Sequence, residues 1–283
     1  MLNYKMIVGA VLSLFWVSQA IAQPTILASI KPIQLIAQAV VGDDRPVEVL
    51  LPPGATPHHF TMRPSDMRHL SRADMIIWLG KDAERYLAKP MARQREKVVM
   101  VDLEGFLEVR DDGYRDPHFW LSGRKAIQVA EAITKQLMLL DAQAASDYEK
   151  NLAAFTESVA EQEQAIRAAS TRYQSSNYLV YHDAYRYFEQ AYGLAHRAVV
   201  AVNPEVNPGA KHLVELDRII AEQDVNCLLI EPESSASVVK LLTDNSGVRV
   251  QLIDPMASGV KVSAQGYVQF LRDVTEKINQ CIH

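Results

Sequence analysis

Thr25-Ile26-Leu27-Ala28-Ser29-Ile30-Lys31-Pro32-Ile33-Gln34-Leu35-Ile36-Ala37-Gln38-Ala39-Val40-Val41 runs from a short apolar stretch straight into a longer one with helical spacing. Thr25 to Ile30 reads as a strand and Lys31 to Val41 as a helix. Outward from this unit the alternation repeats. Val47 to Leu51 reads as a strand, Ser65 to Arg72 as a helix opening on a Ser or Asp cap, and Met75 to Leu79 as a strand. Asp82 to Met91 is then helical and Val98 to Asp102 a strand. A second set follows Asn177: strand Tyr178 to His182, helix Ala184 to Tyr192, strand Arg197 to Val202, helix Lys211 to Gln223, strand Cys227 to Ile230, helix Ser235 to Asn245, strand Val248 to Ile253 and a last helix from Val268 to Gln280. Short strands alternating with helices mark βαβ units and a mostly parallel sheet. The expected fold class is therefore α/β, in two lobes that each hold such a sheet flanked by helices.

Between the two sets, Ala126 to Leu140 and Asp147 to Arg172 are long helical stretches, the second rich in Ala, Glu and Gln. A helix of about 25 residues spans roughly 38 Å, enough to run along both lobes as a stiff connector. An ordinary packed surface helix would have the same composition. The expected organisation is a leader at residues 1–22, an N-terminal lobe at 23–145, a linker helix at 146–172 and a C-terminal lobe at 173–283.

The leader is read from Lys5, the largely apolar run Met6 to Val17, and Ala20-Ile21-Ala22 as a small-residue cleavage site, so the mature chain begins at Gln23. A run of about 12 residues is too short to span a bilayer, which takes about 20. With no Cys near the cleavage site to accept a lipid, a free periplasmic protein is expected. The net charge of −5 comes without a Lys/Arg-rich patch, which argues against nucleic acid as a partner. Cys227 and Cys281 are the only cysteines, and in an oxidising compartment they are expected to form one disulfide. Two buried thiols are the alternative.

Ligands of open parallel α/β sheets gather beyond the carboxyl ends of the strands. Three histidine segments meet that condition: Gly54-Ala55-Thr56-Pro57-His58-His59-Phe60, Asp116-Pro117-His118-Phe119-Trp120-Leu121 and Tyr181-His182-Asp183-Ala184-Tyr185. A fourth strand end carries Asp254 before Pro255. Three imidazoles and one carboxylate make a donor set for zinc, while manganese prefers more oxygen. Each residue also has a purely structural alternative. Of His58 and His59, one points into a site and the other is a solvated loop residue; His118 could lie at a helix start capped by Asp116, with Pro117 first in the helix; His182 could be a core histidine, with Asp183 as a cap. His69, His196 and His212 read as surface or local structural residues, and His283 is the chain end.

The same segments resemble the zinc-specific periplasmic binding proteins of metal-ion ABC transporters, the cluster 9 or cluster A-I solute-binding family. The resemblance covers nearly the whole mature chain. It rests on Pro57-His58-His59-Phe60 with Arg63-Pro64-Ser65-Asp66, on Asp116 to Leu121, on His182 to Tyr185 with Tyr187-Phe188-Glu189, on Glu231-Pro232-Glu233, and on Asp254-Pro255. It implies two lobes joined by a long rigid helix, with the metal in the cleft between them. It selects His58 over His59, carries over His118 and His182, and agrees with a Cys227–Cys281 disulfide. Manganese-preferring relatives place a carboxylate where this chain has His182. Two departures stand out: Glu108 to Arg115 holds acids but no histidine where many members have a His-rich loop, and Pro57 stands where some have a ligating Glu. The fourth ligand is then Asp254 or a water, with Asp254 preferred.

The function expected on these grounds is capture of Zn²⁺ by a monomer and its delivery to an integral-membrane ABC permease with a cytoplasmic ATPase, without catalysis. Binding of manganese or another divalent metal is an alternative within the same family. From another class, a zinc hydrolase would need an open coordination position and a general base such as Glu231 or Glu233. No His-Glu-x-x-His spacing occurs, and zinc-dependent turnover would separate the two readings. An adhesin is disfavoured by the missing lipid anchor.

Overall fold

The computed structural model describes residues 23–57, 60–94, 98–170, 177–201, 206–244 and 246–282. The leader expected at 1–22 lies outside them, as do His58, His59 and His283. The first half comprises β1 (Ile26–Ala28), α1 (Lys31–Val41), β2 (Glu48–Val49), α2 (Pro64–Arg72), β3 (Met75–Trp78), α3 (Arg85–Met91), β4 (Val99–Asp102), the strands β5 (Glu108–Val109) and β6 (Arg115–Asp116), and α4 (Gly123–Leu140). Then come the 26-residue α5 (Ala145–Ser170), β7 (Tyr178–Val180), α6 (Arg186–Tyr192), α7 (Ala210–Glu222), β8 (Cys227–Ile230), α8 (Ala236–Thr243), β9 (Arg249–Leu252) and α9 (Gly266–Ile282).

β2-β1-β3-β4 form one parallel sheet and β7-β8-β9 another. The central strands β1 and β3 are buried along their whole length, as strands covered by helices on both faces must be. Beyond β7, the expected strand from Arg197 is an extended segment with a single bridge, Val180 to Val199. Its backbone still exchanges hydrogen bonds with Tyr178, Val180 and Tyr181. β5 and β6 pair antiparallel as a small hairpin that no apolar alternation announces. Two local expectations are corrected. α2 is capped by Arg63, with Pro64 in its first turn and Asp66 reaching back to accept the Arg63 N–H at 2.7 Å, so neither Ser65 nor Asp66 is the cap. The helix expected from Asp82 begins at Arg85 because Glu84 turns inward, where its carboxyl accepts the Leu79 N–H and the Tyr86 hydroxyl.

α5 packs along both halves. Its Asn151 donates to the Val40 carbonyl of α1 at 3.0 Å, Phe155 meets Tyr267 of α9 edge to face, and Arg167 donates to the Ala191 carbonyl of α6 at 2.8 Å. Tyr148, Val159 and Ile166 of this helix join a single apolar cluster with residues of β1, β3, β7 and β8. Burying each large side chain there contributes about 1.5–3 kcal/mol. Two glycines allow close approach: a Cβ on Gly266 would lie 2.8 Å from Leu35 and from the Lys261 carbonyl, and one on Gly123 would lie 2.8 Å from Val159. α9 is tied to β8 by the Cys227–Cys281 disulfide.

Closing a loop of 54 residues, that bond restricts the unfolded chain. Reducing it is expected to lower the unfolding free energy by about 2–4 kcal/mol, seen as a lower urea midpoint. Glu84 generates a second prediction. Burial is the main reason that its carboxyl titrates at about 7 instead of 4.5. Between those values the folded protein keeps a proton that the unfolded chain has released, so stability falls as pH rises from about 4.5 to about 7. Glu84→Gln should flatten that part of the pH–stability curve, measured by denaturant unfolding.

Candidate metal site

In a parallel sheet every strand delivers its carboxyl end to the same edge, and here both sheets turn that edge toward one cavity of about 280 Å³. Leu79, Asp82 and Tyr86 reach it from the segment after β3, His118 and Trp120 from the segment after β6, His182 from the end of β7, Glu231 and Glu233 from the end of β8, and Pro255 and Met256 from the end of β9. Thr56, Pro57 and Phe60 flank the undescribed His58 and His59 and line the same space. Phe60 packs edge to face on Tyr86, 5.3 Å between ring centres.

His118 and His182 meet edge to face at the wall of this cavity, their ring centres 5.0 Å apart and their planes at 77°, and both are buried. Each ring is held from behind by a carboxylate at Nδ1. Asp116 lies 2.8 Å from His118 Nδ1 and also accepts the His118 backbone N–H at 3.0 Å. Glu231 lies 3.4 Å from His182 Nδ1 and accepts the Tyr185 hydroxyl at 3.0 Å. An ionised carboxylate only accepts, so Nδ1 of His118 must carry the proton, which leaves its Nε2 lone pair free for a cation. The alternative that Asp116 caps a helix is corrected: it ends β6, and the 3-10 turn Phe119–Leu121 starts after His118 itself.

Burial alone would raise the Asp116 carboxyl, but the hydrogen bond and charge of His118 and the charge of Arg110 outweigh it and hold the group below the usual carboxylate range. For His182, burial favours the neutral ring, and the hydrogen bond and charge of Glu231, with Glu233 and Asp183 nearby, overcome it and raise its pKa. Glu233 is pushed up to about 7, first by burial and then by the like charge of Glu231.

Asp254 is not among the residues lining the cavity; its two carboxylate oxygens accept the backbone N–H groups of Met256 at 2.9 Å and Ser258 at 2.7 Å. Among the described residues no three His, Cys, Asp or Glu side chains are drawn together closely enough to hold an ion. His196 is occupied by Glu189 and His212 by the Val199 carbonyl, while His69 stands on the exposed face of α2. Sequence reasoning gave Asp116 no part in holding His118, and passed over Tyr86. The Asp-Pro-His spacing carried a signal for the first, because two residues is the reach of a carboxylate to a following N–H.

The family model for the periplasmic zinc-uptake complex component A, ZnuA, matches residues 26–281. The high-affinity zinc uptake system protein ZnuA of Yersinia pestis is 30% identical over 293 residues, covering 93% of this chain and 92% of its own. The protein of that name from Haemophilus ducreyi is 31% identical over 296 residues, covering 93% and 94%. A crystal structure of ZnuA superposes with a TM-score of 0.83 at 25% identity, over 93% of this chain and all of the other.

Asp116→Ala should remove the constraint on the His118 ring. In long-range ¹H–¹⁵N spectra of the metal-free protein at alkaline pH, the unaltered ring is expected as the Nδ1–H tautomer and the variant as a mixture. An unaltered ring already in the Nε2–H form would contradict the assignment.

Proposed function

The chain belongs to the family of periplasmic zinc-uptake complex A components, and from that premise we propose that it captures Zn²⁺ in the cavity between its two sheets and hands the ion to an integral-membrane ABC permease with a cytoplasmic ATPase. The observation that carries this reading is the pair of imidazoles His118 and His182, edge to face with ring centres 5.0 Å apart, each backed at Nδ1 by a carboxylate. Such backing fixes ring orientation and raises the basicity of the ligating nitrogen. His58 supplies a third nitrogen from the loop after β2, and Asp254 or a water takes the fourth position. The two amides that Asp254 accepts leave each of its oxygens a further lone pair. Three nitrogens select zinc over manganese.

The proposed ligands come from both halves of the chain, 23–145 and 173–283, so a bound ion ties the halves together, and a permease can distinguish loaded from empty protein by that stiffening. α5, as the linker, limits the motion. Among the described residues no helix is long and apolar enough to cross a membrane, and residues 1–22 act as the export signal of a monomeric periplasmic protein. We read the chain as a binder without turnover. Glu231, one of the two residues a hydrolase would use as base, is engaged by His182 and Tyr185.

Competitive titration of the metal-stripped protein is expected to give one tight zinc per chain, preferred over manganese. His118→Ala and His182→Ala should each weaken binding by more than about tenfold, since removing only an outer partner of a ligand costs 10- to 100-fold. Zinc affinity indifferent to both changes would overturn the assignment.

A further inference from the structure

The hairpin of β5 and β6 occupies the stretch before His118, and its contacts reach into the other half of the chain. At its open end the hydroxyl of Tyr187, on α6, accepts the Glu108 N–H at 2.7 Å and donates to the Asp116 carbonyl at 3.0 Å, bridging two residues that pair in the hairpin register. Nearer the turn, Arg110 forms an ion pair with Asp183 at 2.5 Å, with side chains only 25% and 16% exposed. The Arg110 guanidinium also lies 5.8 Å from the ring centre of Tyr114, which lines the cavity.

The positions of these partners along the chain give the ion pair its meaning. Asp183 directly follows His182. Asp116, at the other end of the hairpin, holds His118. A continuous physical route therefore joins the two imidazoles: His118 to Asp116, through the hairpin to Arg110, across the ion pair to Asp183, and along the backbone to His182. Tyr187 anchors the hairpin base, so Arg110 is the charged contact that fixes its turn end to the segment bearing His182. Partly withdrawn from water, such a pair is weakened by salt less than an exposed one, and breaking one partner leaves the other charge without compensation.

Resting on the zinc-capture reading, we propose that Arg110 is a positioning residue for metal retention: its ion pair with Asp183 latches the hairpin across the cleft, holds His182 at its spacing from His118, and slows release of the ion. A contact that holds the ligand spacing without touching the ion acts mainly on dissociation and leaves association nearly unchanged.

The test loads the protein with zinc and follows release into excess chromogenic chelator, with association measured separately. Arg110→Gln is expected to release zinc roughly tenfold faster, a coupling of ordinary size for residues in direct contact, with association changed less than about twofold. Arg110→Lys should recover most of the difference. Combining Arg110→Gln with Asp183→Asn should release no faster than the faster single variant, because both remove the same contact. Normal zinc uptake with an unchanged release rate in Arg110→Gln, or effects that multiply in the double variant, would overturn the latch alone. Absence of zinc uptake by the unaltered protein overturns the capture reading and the latch with it. Should Arg110→Gln not fold, Asp183→Asn, which removes the same contact, decides: an unchanged release rate in that variant rejects the latch.

Discussion

The indole of Trp120 is almost completely withdrawn from water, and a buried N–H without an acceptor costs about 1–3 kcal/mol. Its acceptor is the carbonyl of Pro255, at 2.8 Å, in the loop after β9. The Trp120 carbonyl in turn accepts the Tyr267 hydroxyl of α9 at 2.8 Å. One residue from the first half is thus tied twice to the second, and its ring lies 5.3 Å from that of His118. These bonds fix the two halves to each other beside the cavity that Trp120 and Pro255 line. Lys31 donating to the Ser258 carbonyl and Asp43 accepting from the Ala264 N–H add two further bonds between the halves.

Around that junction, polar groups carry the function and apolar groups hold them in place. His118 and His182 are both buried, and a buried imidazole without a partner would rotate or sacrifice hydrogen bonds. The carboxylates that prevent this are buried themselves, which is costly for a charge unless it is compensated. Asp116 is compensated at one oxygen by the backbone and ring of His118, and the Glu231 carboxylate by the Tyr185 hydroxyl and the His182 ring. Excess negative charge remains in the cavity at Glu233, which burial and Glu231 hold partly protonated. A site of this kind favours the arrival of a cation, which for a zinc-uptake family is the cargo.

The helical frame joins the two sheets without a floppy hinge. α5 makes directional bonds to α1 at one end and α6 at the other, with buried aromatic packing between them. Gly123 and Gly266 let α4 and α9 approach their neighbours to within van der Waals contact, so the junction is shaped by backbone proximity as much as by side chains.

Much of the architecture was legible because strand and helix periodicities are local. Lys31–Val41 and Cys227–Ile230 have the limits that their residue patterns imply, and the rule that ligands sit at strand carboxyl ends led to the cavity holding His118 and His182. The two cysteines, in a chain read as exported, were expected to pair, and they do. What periodicity could not supply depends on residues far apart in sequence. The β5–β6 hairpin has two-residue strands stabilised by Tyr187 from 71 positions beyond Asp116, so no local pattern reveals it. Asp116 had a helix cap as its structural alternative until its neighbours were known, and Arg63 became the cap of α2 because Pro64 and Asp66 set the first turn. Sequence alone determined the alternation of elements, the family resemblance and the candidate ligand types, all encoded by nearest neighbours along the chain. Only the tertiary structure decided which carboxylate backs which imidazole and which charges join the halves, because hydrogen bonds and ion pairs form between groups that folding, and not chain order, brings within 3 Å or so.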